Sequence, residues 1–96
     1  MKKVKLKKSI MVKVTKPGEV LVLDRDKDSL FQITQDAAKV LAILSENGSH
    51  KAVAVEYIQT KLAEVSPVFR KHKYQREGLI GLLQVLQKDG ILEKRV

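Results

Sequence analysis

The hydrophobic period of the chain changes at Thr34, and this change constrains the fold more than any other feature. Before Thr34, short apolar runs of strand length alternate with turn residues. After Thr34, apolar residues recur at the spacing of an amphipathic helix. A chain of 96 residues lies within the normal size of one domain, so both parts are expected to share one core. The sequence therefore predicts an α+β fold in which a sheet precedes the helices.

Three short strands are predicted in the first part of the chain. Ile10–Val14 is apolar and β-branched, and the turn signal at residues 16–19 follows it. Val20–Leu23 is a continuous apolar run of strand length. The acidic tract Asp24–Asp28 disfavours regular structure and leads into the third run, Ser29–Ile33. Short connections of this kind predict a three-stranded antiparallel sheet.

Three helices are predicted in the second part. Thr34 is suited to cap a first helix that ends near Asn47-Gly48, and Ser49 is suited to cap a second. A third helix is expected to end at Asp89-Gly90, before a short extended segment. Each helix has an apolar stripe that we expect to be buried. The stripes are Ala37, Ala38, Leu41 and Leu44 in the first helix, Val53, Tyr57, Ile58 and Leu62 in the second, and Leu79, Leu82, Leu83 and Leu86 in the third.

Positive charge is concentrated in two segments. Nineteen Lys and Arg against eleven Asp and Glu give a formal net charge of +8. Residues 1–8 are rich in lysine and are expected to form a flexible tail before a single domain at residues 9–96. Arg70, Lys71 and Lys73 lie in a predicted loop before the third helix, where they would steer an acidic partner. Net charge alone does not choose between an acidic peptide, nucleic acid and an anionic membrane.

Several classes of functional site are excluded by composition and motifs. The absence of cysteine excludes disulfides, iron-sulfur clusters, thiolate-zinc sites and cysteine nucleophiles. His50 and His72 have no carboxylate at metal-ligand spacing, so no metal site is predicted. No nucleophile elbow, Walker sequence or dinucleotide fingerprint is present. We therefore predict a binding module without a cofactor rather than an enzyme, and a cytoplasmic location without a membrane partner.

Four apolar motifs occur in a fixed order along nearly the whole chain. They are Leu30-Phe31-Gln32-Ile33-Thr34-x-x-Ala37, Val53-x-x-x-Tyr57-Ile58, Leu79-Ile80-x-Leu82-Leu83 and Lys88-Asp89-Gly90-Ile91-Leu92. In this order the chain resembles the PqqD-like family, whose members are also called RiPP precursor peptide recognition elements. Thr34 stands where many members of that family carry Asn, and both residues are good helix caps. The resemblance depends on the combined order, because each motif alone is a short apolar spacing.

The resemblance implies a winged-helix-like fold, with a three-stranded antiparallel sheet followed by three helices. It also implies that the leader of a precursor peptide adds to the open edge of the third strand. Arg76 would meet leader carboxylates, and Gln84 and Gln87 would offer amide contacts. Some of Leu79, Ile80 and Leu83 would line an apolar slot. The peptide-binding residues implied in this way are Ser29, Leu30, Phe31, Gln32, Ile33, Arg76, Leu79, Ile80, Leu83, Gln84 and Gln87.

The partners implied by the resemblance are an acidic precursor peptide and a separate maturation enzyme, of which a radical SAM enzyme is one type. The chain would act as an adaptor that presents the peptide to that enzyme. The residues themselves leave alternatives open, because Phe31 and Ile33 share one face of their strand and are typical core residues. The open edge is also suited to pairing with a second copy of the chain. The rival function is a winged helix-turn-helix DNA-binding regulator, which the net charge of +8 favours.

Overall fold

The computed structural model describes residues 2–46, 50–65 and 75–93, apart from the side chains of Gln75 and Arg76. Within these residues the fold is α+β, with a three-stranded antiparallel sheet followed by helices, which confirms the predicted fold class. The elements are β1 (Lys3–Val4), β2 (Ile10–Lys16), β3 (Glu19–Asp24), β4 (Ser29–Thr34), α1 (Gln35–Glu46), β5 (Val53–Ala54), α2 (Val55–Val65) and α3 (Gln75–Lys88).

The three predicted strands form one sheet in the order β2-β3-β4. The register sets Met11 opposite Leu23 and Leu23 opposite Leu30. The pairing of β3 with β4 runs without interruption over all six residues of each strand. The pairing of β2 with β3 shifts between Val14 and Lys16, at the position of a bulge. The two outer strands of the sheet therefore differ in regularity.

The two faces of the sheet have different surroundings. Val20 and Val22 of β3 are buried and belong to the same core as Ala38 and Leu41 of α1. Because side chains alternate along a strand, Leu21 and Leu23 lie on the opposite face. We call the face that packs on α1 the inner face and the other the outer face.

The passage from β4 into α1 is tight. Gln35 follows the last residue of β4 directly and has a φ of 64°, in the left-handed region. Its N–H donates to the carbonyl oxygen of Gly18 at 3.1 Å, in the turn between β2 and β3. Gly18 has a φ of 80°, which glycine adopts without the usual steric penalty. This hydrogen bond fixes the start of α1 to the end of the hairpin.

The end of α3 agrees with the prediction at Asp89-Gly90. Gly90 has a φ of 82°, and its N–H donates to the carbonyl of Gln87 at 3.1 Å. The N–H of Ile91 donates to the carbonyl of Leu86 at 3.0 Å, which completes a Schellman motif. Leu86 and Ile91 are both buried, so this helix end also directs the following residues into the core.

The second helix begins later than predicted. Val53 and Ala54 form the short strand β5, and α2 starts at Val55, whereas the predicted cap Ser49 lies outside the described residues. Val53 is buried, but it lies in the strand β5 and not in the helix. Tyr57 is 39% exposed, so it does not belong to the buried stripe of α2. The buried residues of α2 are Val55, Ile58 and Leu62.

The N-terminal residues differ most from the sequence-based expectation of a flexible tail. Val4 and Leu6 are buried in the core, with 0% and 1% exposure. Lys3–Val4 pairs with Val53–Ala54, and Leu6 forms an antiparallel bridge with Leu92. The physical reason lies in the alternation of this segment, where every second residue between the lysines is apolar and points into the core.

Replacing Leu6 with alanine is expected to lower the free energy of unfolding by about 2–5 kcal/mol, because a fully packed leucine leaves a cavity. Lys8 is exposed, so Lys8→Ala is the matched control and should change that free energy by less than about 0.5 kcal/mol. Urea unfolding followed by circular dichroism measures both. Equal stability of the two variants would show that the N-terminal segment is a solvated tail.

Candidate functional site

The strand β4 is an outer strand of the sheet, paired on one side with β3. Its sequence Ser-Leu-Phe-Gln-Ile-Thr contains no charged residue and no proline. The opposite outer strand, β2, carries Lys13 and Lys16 and a bulge before Lys16, all of which discourage further pairing. Protective features are therefore present on β2 and missing on β4, although 31% of the chain is charged.

The side chains of β4 are more exposed than those of a core strand. Leu30 and Gln32 lie on the outer face, and Leu30 is 65% exposed. Phe31 and Ile33 lie on the inner face, opposite Val22 and Val20. Ile33 packs against the core as expected, whereas Phe31 remains 38% exposed because its strand stands at the border of the sheet. The strand thus presents an aliphatic side chain on one face and an aromatic side chain on the other.

A buried carboxylate holds the turn that leads into β4. Asp24 is 6% exposed. Its Oδ1 atom accepts hydrogen bonds from the backbone N–H of Asp26 at 3.0 Å and of Lys27 at 3.4 Å. Asp28 adopts a φ of 48°, which aspartate tolerates better than most residues. These contacts explain the three aspartates as parts of a turn. Among the described residues, no group of three or more acidic or His side chains is placed to hold a metal ion.

The predicted site residues of the third helix differ in burial and polarity. Leu79 and Leu83 are fully buried, so in this structure they support the helix from the core side and do not line a surface. Ile80 is partly buried against the same core, and Gln84 is exposed. The side-chain amide of Gln87 donates to the backbone carbonyl of Glu93 at 3.1 Å. Ile80, Gln84 and Gln87 follow a helical repeat and share one side of α3.

Some of the predicted residues cannot be placed in this site. Arg70, Lys71 and Lys73, predicted to steer an acidic partner, lie outside the described residues, as does the side chain of Arg76. The predicted site residues that the structure describes therefore lie on two elements, β4 at the border of the sheet and the side of α3 that carries Ile80 and Gln84.

A groove of about 860 Å³ lies at the hairpin end of the sheet, and the sequence did not predict it. Three lysines on its rim are each paired with a carboxylate, at 3.2 to 3.8 Å. The groove is formed by the β2–β3 turn, one side of α1 and the end of α2, which are brought together only by the fold. Its lining residues are Val14, Lys16, Pro17, Gly18, Val20, Thr34, Gln35, Ala38, Lys39, Ala42, Ile43, Glu46, Lys61, Glu64 and Val65.

Comparison with known proteins gives a likeness of fold. No protein-family model matches the chain. No curated protein matches it either. Among solved structures, the chain is similar to that of TbiB1 in complex with the TbiA(beta) leader peptide, with a TM-score of 0.62 and 14% sequence identity. The alignment covers 96% of this chain and 98% of that chain, so the likeness extends over the whole fold.

Removing the carboxylate of Asp24 is expected to loosen the turn before β4. Asp24→Ala should lower the free energy of unfolding by about 1–2 kcal/mol, because two backbone N–H groups lose their acceptor. It should also speed amide hydrogen exchange in Ser29–Thr34. Asp24→Asn keeps the acceptor oxygen and should lose less than half as much. If the two variants are equally destabilised, the hydrogen bonds do not hold the turn.

Proposed function

We propose that this chain is a peptide-binding adaptor that takes up the leader of a ribosomally made precursor peptide. The leader adds as a further strand to the open edge of β4 and contacts the side of α3 that carries Ile80, Gln84 and Gln87. A separate maturation enzyme then modifies the peptide, and a radical SAM enzyme is one type that fits the resemblance. The chain supplies binding and positioning, while the enzyme supplies the chemistry.

The observation that carries the proposal is the contrast between the two outer strands. Proteins normally protect an exposed strand with charge, proline or a bulge, since its unpaired backbone groups invite pairing with other chains. Here β2 is protected in this way, and β4 is not. An unprotected, regular outer strand is what strand addition requires, because the incoming backbone must pair over several residues.

The exposed side chains of β4 support the same proposal. An added strand places its own side chains alternately beside Leu30 on the outer face and beside Phe31 on the inner face. Both are largely apolar surfaces exposed in the free chain. Backbone hydrogen bonds would supply affinity with little sequence preference, and contacts with Leu30, Phe31 and the side of α3 would select the peptide.

The similar solved structure adds support to the proposal. TbiB1 is described there in complex with a leader peptide, and its fold matches this chain over nearly its full length. Fold alone does not specify function. The likeness becomes informative because the open outer strand of this chain offers a physical means of binding such a peptide.

DNA binding, the rival function, is disfavoured by the surface of α3. A recognition helix presents several Arg, Lys, Asn or Gln side chains to the bases. Among the described residues of α3, the exposed positions are Glu77, Gly78, Gly81, Gln84, Val85 and Lys88. One cation and one amide among two glycines, a valine and a glutamate make a poor surface for the major groove.

Proline substitution in β4 tests strand addition. Leu30 and Phe31 are adjacent, so in an antiparallel ladder only one of their two N–H groups points toward β3 and the other points to the open edge. Leu30→Pro and Phe31→Pro are therefore compared. The variant that removes the outward N–H keeps the bonds to β3 and should have a near-normal melting temperature. It should lose leader affinity by at least about 10-fold, because the proline removes a donor and obstructs the edge.

The binding partner for this test is the precursor leader encoded beside the gene, with duplex DNA as a second titrant, each at two salt concentrations. Lys13→Ala on β2 is the control for a change at the opposite edge and should keep leader affinity within about 2-fold. Unchanged leader affinity in the proline variant that keeps a near-normal melting temperature would refute strand addition. Tight, sequence-selective DNA binding without leader binding would instead establish the regulator function.

A further inference from the structure

Four apolar side chains form a continuous patch on the outer face of the sheet. Met11, Leu23 and Leu30 stand side by side across the three strands, and Leu21 follows Leu23 on the same face. Met11 is 43% exposed and Leu30 is 65% exposed, and the two leucines of β3 are half-buried. We call these four residues the outer patch. An antiparallel sheet that faces water on one side normally carries polar residues there.

The central strand has the composition of a strand that is covered on both faces. Val20, Leu21, Val22 and Leu23 are consecutive and apolar, a pattern typical of strands buried from two sides. In the structure, α1 covers the inner face and buries the two valines. Among the described residues, no helix covers the leucines on the outer face, and both are only partly buried. An exposed apolar patch of this kind commonly marks a surface that another protein covers.

Two cations lie on or against the outer patch. Lys13 lies on the outer face opposite Leu21, and Nη2 of Arg25 contacts Sδ of Met11 at 2.7 Å. Neither cation has a carboxylate partner among the ion pairs of the described residues. The acidic side chain on the same face, Glu19, is already engaged by Lys16 at 3.2 Å and by the amide of Gln32. The exposed Asp26 and Asp28 belong to the turn between β3 and β4. The rim of the patch is therefore suited to an acidic surface.

We propose that the outer patch is the docking surface for the maturation enzyme, which meets it with an apolar surface bordered by carboxylates. This inference rests on the proposed function, because the enzyme is the one that modifies the bound peptide. Leu30 connects the two surfaces, since it belongs both to the outer patch and to the peptide-binding strand β4.

The bound peptide would enlarge the docking surface. A strand added to β4 continues the sheet, and its outward side chains lie beside Leu30 and Gln32. The enzyme then contacts a wider face in the loaded adaptor than in the free one. Peptide and enzyme therefore bind with positive coupling, and each raises the affinity of the other by the same factor.

A second copy of the chain fits this surface less well than an acidic partner. A two-fold contact joins identical patches, so the partner must offer the same basic rim. Lys13 and Arg25 would then face the same two cations of the second copy, and the carboxylate on the outer face, Glu19, is already paired with Lys16. Like charges brought together in this way oppose association.

Charge reversal on the rim tests the proposal with the full-length chain, the precursor leader and the maturation enzyme encoded beside the gene. The double variant Lys13→Glu/Arg25→Glu should weaken enzyme binding by at least about 10-fold at low salt. Lys2→Glu/Lys51→Glu is the matched control, because it changes two exposed lysines and gives the same net charge. Leader affinity should be equal in the two double variants. The uncharged variant Met11→Ser should weaken enzyme binding without any change of charge.

The outcomes separate this inference from the proposed function. Failure of the wild-type chain to bind the leader would refute the proposed function. Normal leader binding, with equal enzyme affinity in the rim variant and its control, would refute the docking surface alone. Rim-dependent dimerisation in sedimentation, or rim-dependent binding to phosphatidylglycerol vesicles with unaltered enzyme binding, would also refute it. A leader that tightens enzyme binding in the wild type, and less in the rim variant, would support it.

Discussion

The burial of Val20 and Val22 against α1 decides the orientation of the whole sheet. Because side chains alternate along a strand, a slip of one residue would turn these valines outward and bring Leu21 and Leu23 inward. The tight turn at Gln35, bound to Gly18, holds α1 at the end of the hairpin and so fixes this contact. The contact between β3 and α1 therefore decides which face of the sheet Leu30 and Phe31 occupy. It also decides the positions of the peptide-binding edge and the outer patch that we propose.

The candidate site combines features that are unfavourable in a free protein. An uncharged outer strand with exposed apolar side chains invites unintended pairing, and proteins usually avoid it. The other outer strand, β2, carries charged side chains and a bulge that discourage further pairing, so the sheet is protected at one edge only. The Asp24 turn adds order to the entry of β4 at the cost of burying a carboxylate. This asymmetry is more readily explained by a partner that covers β4 than by stability alone.

Much of the fold could be predicted because the periods are clear. The three strands of the sheet and the end of α3 at Gly90 follow from apolar runs and turn residues. The strands β1 and β5 were missed because two residues are too few to show a period, and lysines mask the alternation around Val4 and Leu6. The edge position of β4 was expected, but the exposure of Phe31 depends on neighbours that a sequence does not reveal. The groove at the hairpin end was missed for the same reason.

The bridge between Leu6 and Leu92 has a consequence for the order in which the chain is assembled. The N–H of Lys7 donates to the carbonyl of Ile91, and the N–H of Glu93 donates to that of Lys5. During synthesis the N-terminal segment leaves the ribosome first, yet its hydrogen-bonding partners are translated long afterwards. Until they emerge, Val4 and Leu6 have no complete core to enter. The native core is therefore completed only after residues 91–93 have emerged.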